Sequence, residues 1–139
     1  MVHSIGIDAA DVERCGKFVT MPAAQLMRIF SHEEIVHCLS VPVKAAERFA
    51  ARFAAKEAFY KAVHVVIADK RIPFFTLCSH VAVAHLGNGA PYLQVDWEFF
   101  ASYGLPPSLA VHLSITHTKT TATALVLLEG PVLLVESLD

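Results

Sequence analysis

The sequence has little cysteine, no long apolar run and almost no net charge, and each shortage removes a class of protein. Cys15, Cys38 and Cys78 are odd in number and widely spaced, so neither a disulfide framework nor a paired-cysteine zinc site is supported; the thiols are expected to be reduced and structural. The apolar stretch from Thr121 to Val135 is interrupted at Glu129-Gly130-Pro131, short of the roughly 18 residues that a bilayer span requires. No basic leader precedes an apolar core, because Asp8, Asp11 and Glu13 come too early. The chain therefore reads as cytoplasmic, with no membrane partner. None of the eight histidines sits in an HExxH motif or a helical HxxxH pair with a third ligand nearby, which disfavours zinc. A net charge of −2 supplies no global field to draw nucleic acid, so any basic recognition surface must be local.

What is present suits one domain. The 139 residues suffice for a single ordinary core and not for two, so residues 1–139 are expected to form one domain. No repeat, linker or low-complexity segment divides them. Hydrophobic residues make up 55% and charged residues 17%, which is apolar for a soluble protein of this size and predicts that some surface is buried between subunits.

From Val2 to Ile7 the pattern has period two, with Ile5 and Ile7 on one side. A strand ending at Asp8 is predicted, and Gly6 within it admits a close backbone neighbour. Asp11 is placed to cap a short helix from Val12 to about Val19, and Met21-Pro22 opens another from Ala23 to Phe30. Ser31 and Glu34 have the spacing of a capping box. The strongest helix runs from Val43 to about Val66, with Phe49, Phe53 and Tyr60 on an aromatic side and Ala50, Ala54 and Ala58 forming a small-residue stripe. Arg48, Arg52 and Lys56 follow at every fourth position as a cationic row on a different side.

After Pro73 the period changes. Val81 to His85 and Tyr92 to Val95 flank the turn Gly87-Asn88-Gly89, and a helix is expected from Asp96 to Tyr103, ended by Gly104. Val111 to Thr116 and Thr121 to Leu128 form a second hairpin. The whole predicts an α+β fold, one long central helix packed on antiparallel β-hairpins.

Two carboxylates far apart in sequence, one on a strand and one on a helix, can together hold a hard divalent cation, with phosphate oxygens and water completing an octahedral shell. Asp8 and Glu57 meet that description. Lys61 lies about 5–6 Å from Glu57 on the same helix face, where it can pair with Glu57 or reach past it to a phosphate. Spacing alone more often marks a solvated surface pair, and both readings stand at this point.

Motifs and their order add more. Gly6-Ile7-Asp8-Ala9-Ala10-Asp11-Val12-Glu13-Arg14 resembles the opening motif of holo-acyl-carrier-protein synthases, the small 4'-phosphopantetheinyl transferases. Arg52-Phe53-Ala54-Ala55-Lys56-Glu57-Ala58-Phe59-Tyr60-Lys61-Ala62 is similar to their signature helix. In the family's order, Arg28 to Glu34 resembles the segment before that helix, Leu86 to Tyr92 its hairpin turn, and Leu113-Ser114-Ile115-Thr116-His117-Thr118 its Ser-x-Ser/Thr-His segment. The likeness covers nearly the whole chain apart from the last ten residues.

This resemblance implies the 4'-phosphopantetheinyl transferase-like fold and transfer of the phosphopantetheine arm of coenzyme A to a serine of apo acyl carrier protein, in fatty acid biosynthesis. Adenosine 3',5'-bisphosphate would be released, and the active sites would lie between the subunits of a homotrimer. By position, Asp8 and Glu57 would be magnesium (Mg2+) ligands and Lys61 the direct phosphate contact beside them, with a carboxylate or water taking the serine proton. Arg52, Thr116 and His117 resemble positions near the nucleotide; for His117 an exposed turn histidine is an equal reading. Arg14 matches a position that meets the acidic recognition helix of the carrier protein, and Lys17 widens that patch. Arg28 is expected to be simply solvated and His112 to pack. The chain departs from the family in one place: Lys61 to Ile67 has no glycine where members carry a glycine-containing turn. Lys70 and Arg71 are then candidate phosphate contacts from a differently shaped loop. The alternative is a non-catalytic carrier-protein-binding module of the same fold, against which the intact Asp8, Glu57 and Lys61 argue.

Overall fold

A helix sandwiched between other elements must be apolar on more than one side, and the segment Ala45–Val66 is. In the computed structural model, which describes residues 1–132, this helix (α4) is the centre of the fold. The elements before it are β1 (Val2–Asp11), α1 (Val12–Cys15), α2 (Ala23–Leu26) and α3 (His32–Leu39). Those after it are α5 (Phe74–Cys78), β2 (Val81–His85), β3 (Pro91–Val95), α6 (Trp97–Ser102), β4 (Ala110–His117) and β5 (Thr121–Glu129). Among the described residues all pairings are antiparallel, in a three-stranded sheet of order β1-β5-β4 and the hairpin β2-β3.

One face of α4 lies on the large sheet. Ala50, Ala54, Ala58 and Ala62 are fully buried there, opposite Ala122, Ala124, Val126 and Leu128 of β5. The alanine stripe lets backbone approach backbone: a Cβ at Gly6 would stand 1.9 Å from the Ala58 carbonyl oxygen, and the Ser4 hydroxyl donates to the Ala62 carbonyl at 2.8 Å. The aromatic side instead supplies area. Phe49 packs against Phe30 and Phe18 with ring centroids 5.0 and 5.9 Å away, and burying each such ring contributes about 1.5–3 kcal/mol.

Several boundaries differ from the sequence expectation. β1 does not end at Asp8 but continues to Asp11, because β5 pairs with it residue by residue as far as Thr121. Asp11 does cap α1, accepting from the Arg14 N–H at 3.1 Å, yet the α-helical part is four residues long and the chain tightens to a 3₁₀ turn over Gly16–Thr20. α2 is likewise shorter than Ala23 to Phe30, and α4 starts at Ala45 after a 3₁₀ turn at Pro42–Lys44. The capping box of Ser31 and Glu34 is formed.

Two members of the cationic row turn into the interior. Arg52 and Lys56 are 4% and 0% exposed. The Lys56 ammonium is enclosed by the Ile29 carbonyl at 2.6 Å, Glu34 Oε1 at 2.7 Å and the Cys78 carbonyl at 3.5 Å. Three acceptors match its three donors, which is the condition for burying a charge. Cys15, Cys38 and Cys78 are free and buried; burial pushes the Cys38 thiol up to about 11 and that of Cys78 to about 12.

The other face of the large sheet has no second layer among the described residues. Ile5 and Ile7 are 55% and 56% exposed on it, with Leu125 beside them.

Candidate active site

Register decides where Asp8 points. It pairs with Ala124, which is fully buried under α4, so the Asp8 side chain leaves β1 on the helix side, at the sheet's outer edge. Lys61 reaches down from α4 and donates to Asp8 Oδ1 at 3.0 Å and to the Ile7 carbonyl at 3.0 Å. The spacing left Lys61 free to pair with Glu57 or to reach past it to a phosphate; here the ammonium takes Asp8, where strand and carboxylate offer two acceptors in one place. Glu57 is half-buried on the same edge. Its carboxyl is pushed up chiefly by burial and then by Asp8, with Lys61 partly offsetting both. The two carboxylates therefore feel one another across the strand–helix seam.

That donor set fits a hard cation. Two carboxylates from separate elements, both reachable from solvent, leave the remaining positions to water and substrate oxygens, as magnesium requires. Among the described residues no cluster of three or more His, Cys, Asp or Glu side chains could do more.

Arg52 and His117 form a second group. Arg52 precedes Glu57 by five residues, about 7.5 Å along the helix and about 140° around it. It therefore faces the opposite flank of α4, where a cleft of about 290 Å³ also contains Arg48, His37, His85 and His117. Among the described residues the buried guanidinium donates only to the Arg48 carbonyl, at 3.3 Å, and its Nε has no partner. His117 Nδ1 stands 3.8 Å from Glu47 Oε2. Thr116, one residue earlier in β4, is exposed on the outer face of the sheet opposite Thr123. Thus one chain joins Asp8, Glu57 and Lys61, joins Arg52 and His117, and does not join the two groups or bring Thr116 to either.

His37, His85 and Arg48 were not singled out as site residues from the sequence. A signal existed for two of them: Arg48 is one turn before Arg52, and His85 stands just before the Gly87-Asn88-Gly89 turn. His37 reaches the cleft only through the packing of α3.

Arg14 and Lys17 are exposed beyond the end of β1, with the Lys17 ammonium 5.4 Å from the centroid of Phe18. Arg28 is not merely solvated; its guanidinium lies 4.9 Å over the ring of Phe75. His112 does not pack either, being 55% exposed and bonded to Glu129 Oε1 at 2.6 Å. The glycine-free segment after Lys61 simply prolongs α4 to Val66. His64 then holds the following loop, with Nδ1 on the Tyr60 carbonyl at 2.7 Å and Nε2 accepting the Ile72 N–H at 3.0 Å. Arg71 donates to the Tyr60 hydroxyl at 3.0 Å.

Comparison with known proteins agrees with this architecture. The family model described as the 4'-phosphopantetheinyl transferase superfamily matches residues 4–124. A holo-[acyl-carrier-protein] synthase of Treponema denticola is 36% identical over 130 residues, covering 94% of this chain and 100% of the relative. One from Trichlorobacter lovleyi is 34% identical over 134 residues, covering 94% and 100%. Among solved structures, the Chronobacterium ammoniagenes ACPS–CoA complex superposes with a TM-score of 0.78 at 26% identity, covering 93% of this chain and 98% of that one. The Bacillus anthracis synthase in complex with CoA (3',5'-ADP) gives 0.70 at 30% identity, covering 94% and 98%. A long helix on antiparallel strands, a carboxylate pair at its edge and relatives matched end to end make one conclusion: the chain belongs to the 4'-phosphopantetheinyl transferase superfamily, among the holo-[acyl-carrier-protein] synthases, and is a transferase.

Proposed function

We propose that the protein transfers 4'-phosphopantetheine from coenzyme A to a serine hydroxyl of apo acyl carrier protein, with magnesium, releasing adenosine 3',5'-bisphosphate. The pathway served is fatty acid biosynthesis in the cytoplasm. The observation that carries this reading is the open edge where Asp8 and Glu57 converge with Lys61 beside them.

Asp8 and Glu57 would hold the metal. When bound, it supplies charge neutralisation for the pyrophosphate and for the phosphate that leaves. Lys61 is half-exposed, so its ammonium can exchange Asp8 for a phosphate oxygen at little cost. The serine hydroxyl must enter along the same edge, where a carboxylate oxygen accepts its proton. Arg14 and Lys17, on the same side of the chain as the end of β1, would meet an acidic surface of the carrier protein and speed its association.

Arg52 and His117 would bind the nucleotide end of coenzyme A, with Thr116 contributing from the neighbouring face. Since one chain separates these residues from Asp8, a complete site calls for a second copy. The exposed Ile5, Ile7 and Leu125 are the apolar surface that a homotrimer would cover, which supports sites between subunits. A carrier-binding module without catalysis has no use for a carboxylate pair at an open edge.

The test is to incubate the protein with apo acyl carrier protein, coenzyme A and magnesium and to record intact masses. A carrier heavier by one phosphopantetheine is expected. An unmodified carrier with every divalent metal tried would overturn the reading.

A further inference from the structure

The cleft around Arg52 holds more imidazole than an anion site needs. His37, from α3, and His85, at the end of β2, lie with ring centroids 5.4 Å apart and planes 26° from parallel. Arg48 and Arg52 stand over the same space, and His117 lines it from β4. The carboxylates facing it are Glu47 of α4 and, on the adjoining side, Glu33 and Glu34 of α3. Of these, Glu34 is already occupied by Lys56, the Ser31 N–H and the Val83 N–H. Glu47 is 3.8 Å from His117, and Glu33, four residues before His37 on α3, is exposed to solvent; the charges that act on both rings of the His37–His85 pair are those of Arg52 and Arg48.

We propose that His37 and His85 form a proton-dependent wall of this cleft, which takes up a proton when a phosphate monoester binds beside Arg52. The proposal rests on the reading of Arg52 and His117 as the nucleotide end of the coenzyme A site. Two observations carry it. The first is the ring pair itself, stacked within one cleft with two guanidinium groups. The second is the Nε of Arg52, a buried donor with no acceptor among the described residues, which a phosphate oxygen would supply.

Without a ligand, both imidazoles are held below their ordinary range. Both residues remain exposed at the mouth of the cleft; partial burial removes some of the hydration of each ring, and Arg52 and Arg48 then repel a further positive charge. A phosphate dianion reverses the sign of that field. Its oxygens neutralise the arginines and favour the charged form of any imidazole within reach, so the bound pKa rises above the free one. Linkage sets the direction: a group whose pKa is higher in the complex strengthens binding as pH falls through the bound value, until the free value is reached. Each unit of difference is worth about tenfold in affinity. The ester's own second ionisation lies near about pH 6, so the window to examine is above it.

Calorimetry at pH 6.5 and 8.5, in buffers of differing ionisation enthalpy, reads this directly with coenzyme A and the whole protein. About tenfold tighter binding at the lower pH is expected, with net proton uptake. Dephospho-coenzyme A, which lacks the monoester, and the double variant His37→Asn/His85→Asn with coenzyme A should each lose most of the uptake. In parallel, imidazole proton resonances, assigned by single variants, should titrate at higher pH once coenzyme A is added. Binding of coenzyme A by the wild type without proton uptake, or uptake that survives in the double variant or with dephospho-coenzyme A, overturns the proposal alone. No binding of coenzyme A at either pH overturns the underlying site as well.

Discussion

Two lysine–carboxylate pairs lie five residues apart on one helix. Lys56 and Glu34 are 2.7 Å apart with side chains 0% and 1% exposed, whereas Lys61 and Asp8 are 3.0 Å apart with side chains 52% and 21% exposed. In the first pair every donor of the ammonium has an acceptor, and the carboxylate also closes a capping box and holds β2. It joins α3, α4, α5 and β2 and can exchange with nothing. In the second, the ammonium has two acceptors and an open side, so a cation or a phosphate can compete for either partner. The same chemical pair is thus a fixed strut at one place and a replaceable contact at the other; burial makes the difference.

The largest effect should come from breaking the strut. Lys56→Ala leaves Glu34 buried and unpaired, and denaturant unfolding should show a loss of about 3–5 kcal/mol. If the variant unfolded at the wild-type midpoint, the contrast between the pairs would be void.

Next come the carboxylates of the open edge. Asp8→Asn and Glu57→Gln should lower the transfer rate by roughly a hundred- to a thousandfold, in keeping with the loss of several kcal/mol of charge stabilisation. Their unfolding free energies should stay within about 1 kcal/mol of wild type, the scale of an exposed pair. Full activity in either variant would remove it from the metal site.

Lys61→Ala should have the smallest effect, about a tenfold rise in KM for coenzyme A, since a charge-assisted hydrogen bond is worth about 1.5 kcal/mol or more. A loss of stability comparable to that of Lys56→Ala would show that Lys61 is a strut as well.

Much of this was legible in the residues, but unevenly. Local chemistry read correctly: the Asp11 cap, the Ser31–Glu34 box and the turn at Gly87-Asn88-Gly89 follow from contacts within a few residues, and the alanine stripe is visible in helical periodicity alone. The carboxylate pair was found because its two segments carry motifs. What failed depended on distant partners. Lys56 resembles any exposed helical lysine until Ile29, Glu34 and Cys78 are folded around it. For Lys61 the spacing offered Glu57 or a phosphate and could not show Asp8, which is 53 residues away. The separation of Arg52 from Glu57 was implicit in helical geometry, yet only the sheet's position shows that the two flanks of α4 open onto different spaces.

Gly6 gives the open edge its dimensions. It lies two residues before Asp8 and touches the helix one residue after Glu57, at Ala58. Strand and helix are there in backbone contact, with no side chain between them to compress or rotate. The gap between the two carboxylates is therefore gauged by the main chain, as the jaws of a caliper are set by its beam. A methyl group at Gly6 would reset that gauge while leaving every acidic residue in place.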